Sequence, residues 1–112
     1  MNNSHLTKGH CIPCEGSEDP LNREEVAKYL SVLTTKWIVD DDKKIERKFK
    51  FKDFKEAVEF VNNVADIAES EGHHPDIGIN YNIVKIELTT HAIKGLSMND
   101  FIIAAKIEKS IF

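Results

Sequence analysis

Three times along this 112-residue chain a short polar residue stands three positions before an acid: Asn22 before Glu25, Asp53 before Glu56, and Ser97 before Asp100. The first oxygen of each pair can take an orphan N–H at a helix start, and the acid suits the positive end of the helix. Each pair therefore predicts a helix, and extended chain must fill the gaps between them. The first helix places Val26, Tyr29, Leu30 and Leu33 on one face. The second runs from Phe54 to Glu71, with Ala57, Val58, Val61, Val64, Ala65 and Ala68 as its apolar stripe and Gly72 as a natural stop. The third carries Phe101, Ile102, Ala105, Ile107 and Ile111, a less regular stripe.

Between the helices the period changes to two. Trp37 and Val39 alternate with polar neighbours, residues 40–43 form a polar turn, and Ile45, Arg47, Phe49 and Phe51 share the parity of the next strand. After the second helix, Ile77, Ile79, Tyr81 and Ile83 occupy odd positions, whereas Val84, Ile86 and Leu88 occupy even ones. Such a switch needs a turn near residues 81–84, for which Asn82 is suited, and Tyr81 is expected to pack against the protein. The order α-β-β-α-β-β-α, with two hairpins, predicts an α+β fold: a four-stranded antiparallel sheet with three helices on one face.

A chain of this length has room for one core. Residues 1–20 contain Gly9, Pro13, Gly16 and Pro20 with no apolar period, and read as a flexible leader; residues 21–112 form the single domain. A formal net charge of -4 argues against direct nucleic-acid binding. The basic run from Lys43 to Lys55 reads as a solvated strand face and helix start. No apolar run approaches the ~20 residues of a membrane span, and the first twenty residues lack a signal-peptide core, so a cytoplasmic protein is expected. The two cysteines, Cys11 and Cys14, could close only a tiny loop, which suits a reducing compartment. Their segment, His10-Cys11-Ile12-Pro13-Cys14, is a weak zinc motif without a second pair.

Histidine gives and takes protons near neutrality. His73 and His74 follow the Gly72 stop, and His91 lies just past Leu88-Thr89-Thr90. If the last two strands pair about Asn82, all three imidazoles meet at one end of the sheet. Adjacent histidines in extended chain point to opposite sides, which disfavours one shared metal ion, and no further ligand is placed to complete such a site. Among functional readings, proton transfer on an organic substrate is preferred.

The stretch Glu69-Ser70-Glu71-Gly72-His73-His74-Pro75, followed by Tyr81, His91 and Asp100, resembles the signature of the pterin-4a-carbinolamine dehydratases. Trp37, Phe51-Lys52-Asp53-Phe54 and Gly95-Leu96-Ser97 add to a likeness running from Asn22 to the C-terminus. The resemblance implies dehydration of 4a-hydroxytetrahydropterin, with His73, His74 and His91 catalytic and Glu69, Pro75, Thr89 and Thr90 at the substrate. It implies no metal and no bound cofactor, a homodimer or homotetramer, and a functional link to an aromatic amino acid hydroxylase. It also carries a rival reading, since some family members act as transcriptional coactivators or assembly chaperones. Asp100 reads first as a helix cap.

Overall fold

The three caps form where the spacing places them. In the computed structural model, which describes Leu6, Gly9, Cys11 and residues 19–33 and 37–111, Asn22 closes a full capping box. Its Oδ1 accepts from the Glu25 N–H at 2.9 Å, and its own N–H donates to Glu25 Oε1 at 3.0 Å. Helix α1 spans Arg23–Leu30, shorter than the periodicity through Leu33 suggests. Val32 and Leu33 are still buried, in a tight turn bonded back to Tyr29 and Leu30. Helix α2, Phe54–Glu71, starts at Asp53, whose side chain takes the Glu56 N–H. It stops at Gly72, which adopts the left-handed conformation (φ 68°) that costs glycine nothing. Helix α3 spans Met98–Ile111.

The strands are β1 (Ile38–Asp40), β2 (Lys44–Lys50), β3 (Asp76–Asn80) and β4 (Ile83–Leu88), in spatial order β1-β2-β4-β3 and antiparallel throughout. Their register sets the faces: Ile45 pairs with Leu88, Arg47 with Ile86 and Phe49 with Val84. All the apolar members of that row are buried against Ala57, Phe60, Val64, Phe101 and Ile103 of the helices. The other face is a solvent-facing charge lattice, where Lys85 lies 2.8 Å from Glu87 and 3.3 Å from Glu46. The bond from Lys85 holds the Glu87 carboxyl below its ordinary range. Its contribution to stability is therefore present above the unfolded glutamate pKa and fades as the pH falls through the lowered value.

Two features depart from the sequence reading. The basic run is solvated except at Arg47, whose parity turns it towards the core. There its guanidinium stacks 4.2 Å over Phe49 and lies 3.4 Å from the buried Glu108, which also accepts from Trp37 Nε1 at 3.0 Å. Burial pushes the Arg47 guanidinium down from its ordinary value, while Glu108 opposes that shift. Removing one partner of such a group strands the other charge, so Glu108→Ala is expected to cost about 3 kcal/mol, measured by urea unfolding. Tyr81 is the second departure. It is 64% exposed and held at φ 55° in the β3–β4 turn, so it does not pack within the chain. The helices leave β3 uncovered, and all five of its residues are exposed.

Candidate active site at the end of the β3–β4 hairpin

Strand β3 begins two residues after His74, and β4 ends three before His91. The β3–β4 register pairs Asp76 with Glu87; continued outward, it sets His74 across from Thr89 and His73 across from Thr90. The hairpin thus gathers residues from two distant stretches of sequence at one end of the sheet. Gly72 supplies the sharp exit from α2 that delivers His73 there, its N–H bonded to the Ala68 carbonyl at 2.8 Å.

Asp100 is the hub of this end. It is fully buried (0% exposed), and its Oδ2 accepts from the Ser97 N–H at 3.0 Å and from the Thr90 hydroxyl at 2.8 Å. Its Oδ1 lies 2.6 Å from His73 Nε2. A carboxylate only accepts, so the proton of that bond sits on Nε2, and in the neutral ring Nδ1 carries the free lone pair. Thr90 spends its donor on Asp100, so the 2.8 Å contact with Ser97 is a bond from the serine hydroxyl to Thr90 Oγ1. Among the described residues no buried side-chain nitrogen or oxygen lacks a partner, and the bond from Nε2 to this satisfied set fixes the position of the His73 ring. The His73 side chain retains 13% exposure.

The other two imidazoles are open to solvent. His74 is exposed, with Nε2 2.7 Å from Glu69 Oε2, and that carboxylate is itself exposed on the last turn of α2. His91 begins the 3-10 turn His91–Ile93 and is exposed, one residue from the Thr90 that joins Asp100. Pro75 is half-buried between His74 and β3. The Thr89 hydroxyl donates to the Lys43 carbonyl at 2.6 Å. Both threonine hydroxyls are therefore engaged by the protein, and the Thr90 backbone is bonded to Gly95 as well.

Asp100 and Ser97 are the residues that cap reasoning undervalued. Asp100 does complete the cap, through the Ser97 N–H, yet the same carboxylate orients a histidine. The signal lay in the spaced signature, which includes an acid at this position. Gly95 belongs to the same support: a Cβ there would stand 2.6 Å from Pro20 Cβ, where the chain enters the domain. Among the described residues, no three His, Cys, Asp or Glu side chains stand together as a metal cluster, and no helix is long and apolar enough to cross a membrane. His10 and Cys14 lie outside the described residues.

Fold and site define an α+β domain that presents three imidazoles at one sheet end, one held by a buried carboxylate and one by an exposed carboxylate. The sequence pattern of the pterin 4 alpha carbinolamine dehydratase family matches residues 19–110, and the chain belongs to that family. A protein of Alkaliphilus metalliredigens named for the same dehydratase is 48% identical over 109 residues, 97% of this chain and 96% of its own. One of Legionella pneumophila, named likewise, is 47% identical over 107 residues, 95% of each chain. The crystal structure of a Brucella melitensis transcriptional coactivator/pterin dehydratase superposes with a TM-score of 0.75 at 36% identity, covering 81% of this chain and 97% of its own. A pterin dehydratase-like RuBisCO assembly factor of the alpha-carboxysome shares the fold, with a TM-score of 0.58 at 19% identity over 68% of this chain and 89% of its own.

Proposed function

We propose that this chain dehydrates 4a-hydroxytetrahydropterin to the quinonoid dihydropterin, with histidine side chains as the proton-transfer groups. The observation that carries the reading is one imidazole held by a buried carboxylate beside two open ones. Hydroxide leaves poorly, so the C4a oxygen takes a proton as the C4a–O bond breaks and water departs. N5 gives up its proton as the C4a–N5 double bond forms. His74 and His91, open to solvent, are the acid–base pair and can exchange protons with water between turnovers. His73, fixed by Asp100, binds the ring and positions the hydroxyl. Glu69 orients His74, Pro75 holds that segment straight, and the Thr89 and Thr90 segment borders the pterin edge. No bound cofactor is needed, because the pterin supplies the electron push. Turnover of a synthetic carbinolamine by the purified protein tests the assignment.

In this reading the product passes to a reductase in tetrahydropterin recycling, and an aromatic amino acid hydroxylase in the cytoplasm supplies the substrate. The rival reading is a protein-interaction module, after the coactivator named in the Brucella relative. Retention of all three histidines with a carboxylate support favours the enzyme.

The active form is a homo-oligomer built on β3. This edge strand has exposed Ile77 and Ile79 on the core side of the sheet, and no proline or lysine blocks its pairing. A two-fold axis at Gly78 would set Ile77 against the partner's Ile79. Ile77→Lys is expected to convert the oligomer to monomer in sedimentation equilibrium; a monomeric wild type would contradict this assembly.

A further inference from the structure

We infer that Leu6, Gly9 and Cys11 of the N-terminal leader act as a strap that braces the His73–Asp100 pair from behind, with Glu71 as its anchor. The inference rests on the dehydratase reading for its effect on turnover, whereas the bracing itself stands on geometry.

Leu6 is 1% exposed and belongs to the hydrophobic core. Gly9 lies so close to α3 that a Cβ there would sit 3.3 Å from Ile102 Cδ1 and 3.3 Å from the Leu6 carbonyl oxygen. Cys11 then contacts both Glu71 and Asn99, in unequal ways. Its backbone N–H donates to Glu71 Oε1 at 2.8 Å, and its Sγ lies 3.7 Å from the Asn99 carbonyl oxygen. Asn99, Ile102 and Lys106 follow the i, i+3, i+7 spacing of one helix face, so the described leader residues and Glu71 share that face of α3.

These contacts fall beside the two halves of the site. Glu71 is the last residue of α2, two before His73, and Asn99 immediately precedes Asp100. One leader residue thus ties together the two segments whose side chains meet at 2.6 Å. The Glu71 carboxylate is 6% exposed and also lies 3.4 Å from Lys106 Nζ. A buried carboxylate bonded to a backbone N–H and an ammonium strongly resists displacement. It holds the α2 exit against α3, which sets how far His73 stands from Asp100.

The family pattern begins at residue 19, and the Brucella structure is covered to 97% by 81% of this chain. The Alkaliphilus relative is matched by 97% of this chain, so its likeness reaches into the leader.

Hydrogen exchange and steady-state kinetics on two full-length variants test the strap. Glu71→Gln removes the anchor's charge, and Leu6→Asp lifts the strap with Glu71 intact. Both are expected to speed amide exchange at residues 72–74 and 99–101 by about tenfold, while Ile45 and Ile86 in the sheet centre exchange as in wild type. Both are also expected to lower kcat about fivefold with KM within about twofold, because a small displacement of a positioned group costs rate more than binding. Unchanged exchange, equal acceleration over the whole chain, or local acceleration with unchanged kcat each overturns the positioning role. If the wild type dehydrates no carbinolamine, the function reading fails instead, and the exchange pattern alone judges the strap.

Discussion

Replacing His74 or His91 by alanine is expected to slow carbinolamine dehydration by about 10²- to 10⁴-fold, the range of a lost general acid or base. Both side chains are exposed, so neither truncation opens a cavity in the core. Unfolding midpoints should stay close to wild type, and the loss should fall on kcat. The two variants should also respond differently to added imidazole, which can enter an open site and replace the missing ring. Partial rescue in one variant would mark the ring that exchanges its proton most freely with solvent. Full activity in both would remove the acid–base assignment.

Asp100→Asn is expected to lower kcat by about 10²-fold with little change in KM, on the scale of a misplaced catalytic group. Oδ2 takes the Ser97 N–H and the Thr90 hydroxyl, so the asparagine oxygen will occupy that side. Its amide NH₂ then faces His73 Nε2, donor against donor, in place of the present 2.6 Å bond. The ring must either move its proton to Nδ1 or swing away. Nitrogen NMR of the imidazole reads this directly: wild type protonated at Nε2, the variant at Nδ1. An unchanged tautomer together with unchanged kcat would reduce Asp100 to a helix cap. Asp100→Ala is the harsher change. It leaves three polar groups without their buried partner, at about 1–3 kcal/mol for each one that water cannot reach.

How much of this was legible in the chain differs by element. Helix starts at Asn22, Asp53 and Ser97 and the stop at Gly72 were readable because caps are local: the deciding atoms lie within four residues of each other. Strand parity was readable for the same reason, and it placed Ile45, Phe49, Val84, Ile86 and Leu88 inside. Parity says which side a residue takes, but not whether anything covers it there. Ile77 and Ile79 share the inward parity of β3 and are exposed because β3 is an edge strand, which depends on the order β1-β2-β4-β3, and Tyr81 is carried outward by the turn that follows. Arg47 is the converse case. It lies among lysines, and its partner Glu108 is 61 residues away on α3.

The site was legible as a gathering of histidines and not as a network. Hairpin pairing about Asn82 brings His73, His74 and the approach to His91 to one end, which spacing alone could suggest. That Asp100 reaches back to His73 needed the packing of α3 against the sheet. The leader shows the same limit: Leu6 and Cys11 carry no periodic signal, and the contacts of Cys11 to Glu71 and Asn99 span 60 and 88 residues.

If the imidazoles at the end of the β3–β4 hairpin move the protons of a pterin dehydration, removing the two open ones abolishes it. Stopped-flow decay of 4a-hydroxytetrahydropterin, measured with wild type and with the His74→Ala/His91→Ala double variant, tests it most directly. Rapid decay is expected with wild type at neutral pH, and decay near the uncatalysed rate with the folded double variant. Wild-type decay at the uncatalysed rate, or a double variant as fast as wild type, would contradict it.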